Sequence, residues 1–129
     1  MKLYKEQIIR IFTDLEKLKI DGIWYDGIEG EGEYKQWWWN GQLKTNSNYK
    51  NGGLNGSYKK WWDDGKLYIE VNYNDNSKRD GKYRKWYNNG QLWVDVNYKN
   101  GKRDGRYNYW YSNGQLRLDV EYSNGKRKL

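Results

Sequence analysis

A short internal repeat is the feature of this sequence that most limits how the chain can fold. Gly32, Gly56, Gly81 and Gly105 are each followed two residues later by a tyrosine, and successive glycines are 24, 25 and 24 residues apart. A constant period of this kind is typical of arrays in which each repeat is one supersecondary unit that packs on its neighbours. The sequence predicts repeats at residues 32–55, 56–80, 81–104 and 105–129, behind a half-repeat at residues 24–31.

Each repeat carries the signals of a β-hairpin. A central dipeptide favours a two-residue type I′ turn, in which both residues need positive φ. After this dipeptide apolar and polar residues alternate, as from Leu116 to Tyr122, which indicates a strand with one apolar face. A second Asn-Gly marks the return turn, and in the second repeat we expect Asn76 to take the left-handed position of that glycine. The central dipeptides are Asn40-Gly41, Asp64-Gly65, Asn89-Gly90 and Asn113-Gly114.

A two-residue turn fixes the register, because residues equidistant from it pair across the hairpin and share a face. In the fourth repeat this rule pairs Tyr111 with Leu116, Tyr109 with Leu118, and Tyr107 with Val120. The face is apolar, and we assign it to the core. The equivalent residues of the second and third repeats are Tyr58, Trp62, Leu67, Ile69 and Val71, and Tyr83, Tyr87, Leu92, Val94 and Val96.

The opposite face presents one tryptophan per repeat, and the same register places Trp93 opposite Trp86. It also places opposite charges across the strands, with Lys59 facing Glu70 and Arg84 facing Asp95, which favours the register. With neighbouring strands about 4.8 Å apart, equivalent tryptophans recur at roughly 9 to 10 Å, a ladder suited to stacking on sugar rings or unpaired bases. Alternatively, the indoles stack along the array or fill a second thin core. The candidate ligand-binding residues are Trp37, Trp61, Trp86, Trp93, Trp110, Lys59, Arg84 and Arg117.

The N-terminal segment differs in kind from the repeats. Its apolar residues fall at helical spacing until Asp21-Gly22 ends the pattern. We predict an amphipathic helix over residues 1–22 that packs on the sheet or caps the first edge of the array. A helix that binds a membrane surface or a partner is the alternative. The apolar positions are Ile8, Ile11, Phe12, Leu15 and Leu18.

The composition excludes several kinds of catalytic chemistry. The chain has neither histidine nor cysteine, which removes the usual zinc, Cys-His and Ser-His-Asp sites. Asp63 and Asp64 lie at a hairpin tip, where turn formation explains them. The sequence therefore predicts no catalytic residues, no metal site, no cofactor and no enzyme activity.

The positive charge lies in the repeats. The net charge is +7, and residues 34–129 hold 19 basic and 9 acidic side chains. An acidic protein, nucleic acid or an anionic lipid surface is a plausible partner on this ground, although solvated cations also keep an aromatic protein in solution. No apolar run approaches the length of a transmembrane segment. We expect a cytoplasmic protein, or a secreted or periplasmic one if a leader has been removed; the oligomeric state stays open.

One stretch of the chain resembles a known repeat. The unit Tyr-x-Asn-Gly-x-x-x-Gly-x-Tyr-x-x-Trp-Tyr-x-Asn-Gly-x-Leu, from Tyr98 to Leu116, resembles the bacterial variant of the MORN repeat. The resemblance implies an elongated antiparallel meander of β-hairpins that serves as a protein-interaction scaffold, with phospholipid binding also proposed for such arrays. Membership of the antitoxin-like YwqK group would imply a toxin as partner. We therefore expect a non-enzymatic scaffold for protein–protein interaction, the alternative being a glycan, single-stranded nucleic acid or anionic lipid bound by the tryptophan ladder.

Overall fold

The described part of the chain is one antiparallel sheet. The structure is a computed structural model that describes residues 23–24 and 30–129, so the predicted helix at residues 1–22 and most of the half-repeat at 24–31 lie outside the described residues. Ten strands follow each other in sequence order across the sheet, which confirms the predicted meander of hairpins. The strands are β1 Ile23–Trp24, β2 Gly32–Trp37, β3 Leu43–Lys50, β4 Gly53–Trp61, β5 Leu67–Tyr73, β6 Arg79–Trp86, β7 Leu92–Lys99, β8 Lys102–Trp110, β9 Leu116–Ser123 and β10 Lys126–Arg127.

The central Asn-Gly loops have three residues and not two. In the third repeat Gly90 donates a backbone hydrogen bond to Tyr87 O (3.0 Å), and Tyr87 N donates to Gln91 O (2.9 Å). Only Gly90 has positive φ (87°). This is the pattern of a type I turn followed by a left-handed glycine. The predicted type I′ turn is therefore wrong at these positions.

The asparagine side chain of this loop makes two hydrogen bonds. The side-chain oxygen of Asn89 accepts from Gln91 N (2.9 Å), and its amide donates to Ser112 O (2.7 Å) in the loop of the next repeat. Asn40 donates in the same way to Asp63 O, at 2.6 Å. The asparagine thus closes its own loop and connects it to its neighbour.

The type I′ turns occur instead at the return turns. Asn100 and Gly101 both have positive φ, of 50° and 87°, and they connect the directly paired Lys99 and Lys102. The second repeat has an added residue, and there Ser77 takes the left-handed conformation (φ 57°). The prediction that Asn76 would do so is wrong, because the added residue makes a three-residue loop whose last position is Ser77.

A β-bulge follows each central loop. In the third repeat Lys85 pairs with Val94 and Trp86 pairs with Leu92, which leaves Trp93 as an extra residue on β7. The same shift occurs in the other three repeats. The odd loop and the one-residue bulge displace the register in opposite directions, so beyond the bulge the pairing is that of a simple two-residue hairpin.

This compensation explains which predicted pairs are right. Tyr107–Val120 and Tyr109–Leu118, which lie beyond the bulge, are confirmed. Next to the loop the predictions are wrong: Leu116 pairs with Trp110 and not with Tyr111. By the same shift Leu67 and Leu92 pair with Trp61 and Trp86, so these leucines lie on the face that we did not assign to the core.

A second irregularity explains the glycine that defines the repeat. Val96 pairs with Tyr107 and Tyr98 pairs with Arg103, so β8 holds two more residues than β7 between these pairs. Gly105 lies in this excess with φ of 100°. A left-handed backbone at a bulge favours glycine, since other residues pay a steric cost there.

The buried residues lie between the strands' ends on the predicted core face. They are few, and two of them carry hydroxyl groups. Ser47 donates to Tyr34 O at 3.3 Å, which satisfies its hydroxyl within the sheet. The aromatic rings described below supply the rest of the packing. The buried residues are Thr45, Ser47, Val71, Val94 and Val96.

Candidate binding face

The sheet has two faces of different chemistry. Successive strand residues alternate between them. The tyrosine face is defined by Tyr34, Tyr49, Tyr58, Tyr73, Tyr83, Tyr98, Tyr107 and Tyr122. The tryptophan face is defined by Trp37, Trp61, Trp86 and Trp110.

Each repeat contributes one edge-to-face tyrosine pair to the tyrosine face. The rings of Tyr83 and Tyr98 lie 6.0 Å apart at 69°, and those of Tyr107 and Tyr122 lie 6.1 Å apart at 78°. Such contacts add about 0.5 to 1.5 kcal/mol beyond burial. The tyrosine pairs lie on the strand segments next to the return turns.

Two arginines stack on these tyrosine pairs. The Arg79 guanidinium lies 4.8 Å from the ring centre of Tyr83 and 5.4 Å from that of Tyr98. Its Nη1 donates to the Tyr98 hydroxyl at 3.3 Å. Arg103 repeats the arrangement one repeat later, 4.7 Å from the ring centre of Tyr107, and its Nη1 donates to the Tyr122 hydroxyl at 3.1 Å. Cation–π contact and hydrogen bond together fix the orientation of each guanidinium.

A second row of aromatic and basic side chains lies near the central loops. Trp93 stacks on Tyr87, with centroids 4.6 Å apart and planes at 14°, and the Lys85 ammonium lies 4.3 Å from the Trp93 ring centre. In the fourth repeat Arg117 takes the place of Trp93, 5.3 Å from the ring centre of Tyr109. The bulge residue of every repeat therefore packs on an aromatic ring of its own hairpin. The other two pairs are Lys44 with Trp38, and Tyr68 with Trp62.

Ion pairs connect neighbouring strands on the tryptophan face. Lys59 and Glu70 pair at 3.9 Å, and Arg84 and Asp95 at 3.5 Å. On the fourth hairpin Arg106 Nη1 donates to both carboxylate oxygens of Asp119 at 2.8 Å. The register places each carboxylate across the sheet from its partner or next to it, and exposed pairs of this kind contribute about 0 to 1 kcal/mol each.

The cations of the tyrosine face have no such partners. Among the residues that the structure describes, Arg79, Lys85, Arg103 and Arg117 form no ion pair. Glu70, Asp95, Asp119 and Glu121 alternate onto the tryptophan face. Asp80 and Asp104 serve the return turns, where they accept from Asn100 N and Asn124 N. The tyrosine face is consequently positive and aromatic.

Burial on this face changes the acidity of its phenols. Burial raises the pKa of Tyr83 and Tyr107, and the adjacent arginines offset part of that rise. Tyr109 differs, because the neighbouring indole N–H of Trp93 lowers its pKa against the opposing effect of burial. The phenols of Tyr83 and Tyr107 therefore keep their protons to higher pH than an exposed tyrosine does.

A cavity of about 230 Å³ opens on the tyrosine face between the third and fourth repeats. Its polar lining includes Arg79, Lys85 and Arg103, and Val94 and Val96 form part of its wall. No Asp or Glu lines it. Across the described part of the chain, no group of three acidic side chains has the arrangement of a metal site.

Comparison with protein families places the MORN repeat variant at residues 30–51, 54–75, 79–100 and 103–126. These segments cover more than half of the chain, and each begins two residues before a repeat glycine. The chain belongs to the MORN repeat variant family. A search of curated proteins found no match. Within the described residues no helix has the length and apolar character needed to cross a membrane.

The MORN fold divides the predicted site residues between two faces. Trp37, Trp61, Trp86 and Trp110 share the tryptophan face with Lys59 and Arg84, as predicted from the register. Trp93 and Arg117 do not, because the bulge turns both toward the tyrosine face. The predicted pairing of Trp93 with Trp86 is wrong for the same reason. The binding role assigned to the ladder stays a prediction.

Sequence reasoning missed Arg79, Lys85 and Arg103. The signal for the arginines was present, since each lies two residues before a repeat glycine, where the first two MORN repeats have Gly30 and Leu54. A basic residue at one fixed position of successive repeats indicates a row of charge on one face. Lys85 follows from alternation, because it shares a face with Tyr83.

Proposed function

We propose that this chain is a non-enzymatic MORN module that binds an acidic protein partner through its tyrosine face. One observation carries the proposal: Arg79, Lys85, Arg103 and Arg117 lie against aromatic rings of the tyrosine face, and none of them forms an ion pair with the described residues. The carboxylates of Glu70, Asp95, Asp119 and Glu121 lie on the other face. Complementary charge steers association and selects among partners. An antitoxin role, with a toxin as the acidic partner, is a special case of this proposal.

The residue types on the tyrosine face support a protein partner. Tyrosine, tryptophan and arginine are the residues that most often dominate the energy of protein interfaces. Here their rings are half-buried and held in stacked or edge-to-face contacts, so little side-chain entropy remains to be lost on binding. The face is therefore preorganised.

Single-stranded nucleic acid is the second candidate. The stacked rings of Tyr87 and Trp93 lie beside the Lys85 ammonium. Proteins that bind single-stranded nucleic acid without sequence preference combine aromatic rings, which stack on bases, with nearby cations, which contact phosphates. Its affinity would fall steeply with salt, because each phosphate contact releases a counterion. Binding of a glycan by the tryptophan ladder should respond little to salt.

A matched pair of triple variants tests the proposal. Lys85→Gln, Arg103→Gln and Arg117→Gln together remove three charges from the tyrosine face. The control, Lys59→Gln, Arg84→Gln and Arg106→Gln, removes three charges from the tryptophan face. Affinity capture from the source lysate at low and moderate salt, followed by mass spectrometry, measures partner recovery, and circular dichroism verifies that both variants fold.

We expect the first variant to lose a stoichiometric protein partner that the control retains. Equal losses would show that only net charge matters and would contradict the proposal. Capture of nucleic acid alone, lost at moderate salt, would support the second candidate instead.

A further inference from the structure

The cavity between the third and fourth repeats concentrates positive charge. Arg79, Lys85 and Arg103 line it, and no carboxylate does. None of the three forms an ion pair with the described residues. Like charges that share an aromatic cavity repel each other, and water screens them less there than at an open surface. An oxyanion in the cavity would relieve this repulsion.

The two guanidinium groups are already oriented. Each lies against two tyrosine rings, and each uses Nη1 to donate to a tyrosine hydroxyl, Tyr98 for Arg79 and Tyr122 for Arg103. A guanidinium has five N–H donors, so most donors of both groups remain for a ligand. Their planar arrangement matches the oxygens of a carboxylate or phosphate.

Trp93 brings a further donor to the same cavity. Its indole N–H is buried and lies close enough to the Tyr109 hydroxyl to lower the pKa of that phenol, but it has no acceptor with the geometry of a full hydrogen bond among the described residues. Because Trp93 also lines the cavity, a ligand oxygen that reached this N–H would give it a better acceptor.

The combination is particular to this junction. At the positions of Arg79 and Arg103 the first two repeats have Gly30 and Leu54. Among the described residues, the junction of the third and fourth repeats therefore places two stacked guanidiniums at one cavity. The junction of the first and second repeats, with Gly30 and Leu54 at these positions, provides an internal comparison with the same tyrosine pairs and neither arginine.

We infer that this cavity, the arginine pocket, holds one oxyanion side chain of the acidic protein partner, either a carboxylate or a phosphate. The inference rests on the proposed function and adds the location and chemistry of the anchoring contact. The planar carboxylate of glutamate and the tetrahedral phosphate of phosphoserine both present oxygens that paired arginines bind. Peptides that carry one or the other distinguish a carboxylate ligand from a phosphate ligand.

The experiment uses the full chain and three fluorescein-labelled peptides of identical length. One carries glutamates, the second replaces a central glutamate with phosphoserine, and the third replaces all glutamates with glutamines. Fluorescence anisotropy gives the dissociation constants for the wild-type chain and for Arg79→Gln/Arg103→Gln. The control Arg84→Gln/Arg106→Gln removes two arginines from the tryptophan face.

We expect the acidic peptides to bind and the glutamine peptide to fail. The pocket variant should weaken binding by about tenfold or more, as the loss of charge-assisted hydrogen bonds does, and the control by much less. In the NMR spectrum of the wild-type chain, the indole N–H resonance of Trp93 should shift on addition of the acidic peptide. Its absence from the spectrum of Trp93→Phe assigns this resonance. Tighter binding of the phosphoserine peptide would identify phosphate as the anion; equal or tighter binding of the glutamate peptide would identify carboxylate.

Other results separate the two proposals. Lys60 pairs with Ile69 on the tyrosine face, and neither Lys60 nor Arg117 lines the pocket. If Lys60→Gln/Arg117→Gln weakens the acidic peptides as much as the pocket variant, the pocket inference is wrong while the binding face stands. If the pocket variant loses the peptides but retains the captured protein partner, the pocket binds anions without anchoring the partner, and the inference is wrong while the proposed function stands. If the triple variant Lys85→Gln/Arg103→Gln/Arg117→Gln also retains the partner, the proposed function fails. A single-stranded oligonucleotide of equal charge that binds tighter than either peptide, through the same two arginines, would overturn the protein partner.

Discussion

Trp93 stacks on Tyr87 with 4.6 Å between ring centroids and 14° between planes, on the opposite side of the sheet from Trp86. The bulge at Trp93 therefore separates it from the ladder of one tryptophan per repeat. Trp93 and Trp86 lie in one hairpin but on surfaces of different charge. Trp93 lies beside unpaired cations, and Trp86 lies beside ion pairs. This separation allows the two surfaces to be tested independently.

Replacing Trp93 and replacing the ladder should have different effects on partner binding. We expect Trp93→Ala to weaken binding, because it removes a ring from the tyrosine face and the stacking partner of Tyr87. The double variant Trp86→Ala/Trp110→Ala should leave binding largely unchanged. Partner capture measures binding, and thermal unfolding measures whether each variant keeps a cooperative fold. If the double variant unfolds cooperatively yet loses the partner, the tryptophan ladder is the site.

Ser77→Gly should stabilise the fold. Ser77 has positive φ, 57°, where a side chain is strained and glycine is not. Glycine loses more backbone entropy on folding than serine does, and this loss offsets part of the relieved strain. We therefore expect a net gain of about 0.5 to 1 kcal/mol in the free energy of unfolding. Urea denaturation measures the change. Asn76→Gly is the control and should give no gain, since φ at Asn76 is not positive; the reverse ranking would contradict the loop assignment.

A valine in the third hairpin should contribute more to stability than a larger leucine on the same face of the last hairpin. Val96 is 2% exposed, whereas Leu118 on the last hairpin is 37% exposed. We expect Val96→Ala to cost about 2 kcal/mol and Leu118→Ala about 1 kcal/mol. Chemical denaturation of the two variants gives the comparison. A larger loss for Leu118→Ala would mean that something covers the last hairpin in solution.

Alkaline pH should destabilise the protein through its buried phenols. Burial raises the pKa of Tyr58, Tyr83 and Tyr107 above the ordinary value of 10.0. The folded chain therefore holds phenolic protons that the unfolded chain releases, and the free energy of unfolding falls as pH rises from about 10 through the higher folded pKa. Tyr109 acts in the opposite direction because its pKa is lowered.

Denaturation midpoints measured between about pH 8 and pH 11 test this dependence. Tyr107→Phe should reduce the alkaline loss, because phenylalanine has no proton to release. Absorbance of the phenolate in the folded wild-type chain follows the titration directly. Stability that increases above pH 10 would contradict the burial of these rings.

Much of the fold was predictable because its signals are local. The spacing of the repeat glycines, the Asn-Gly dipeptides and the alternation after them each depend on a few neighbouring residues. Pairs distant from the loop, such as Lys59–Glu70 and Arg84–Asp95, were predicted correctly. The opposite charges at these positions also carried information about register.

The errors arose at the central loops, where a three-residue loop and a β-bulge occur together. The sequence shows Asn89-Gly90 but does not distinguish a two-residue loop from a three-residue loop followed by a bulge, because both give the same register farther along the strands. They differ only in the residues next to the loop. Those residues, Leu92 and Trp93, exchange faces between the two alternatives.

By itself the sequence determined the repeat, the hairpins, the core face of the distant pairs and the excess of positive charge. Only the tertiary structure decided which of these charges are paired, because bulges change the face of some side chains and ion pairs form between side chains on the same face. Arg84 and Arg103 are both arginines of the repeats. In the sheet Arg84 meets Asp95, and Arg103 meets tyrosine rings and a cavity without carboxylates.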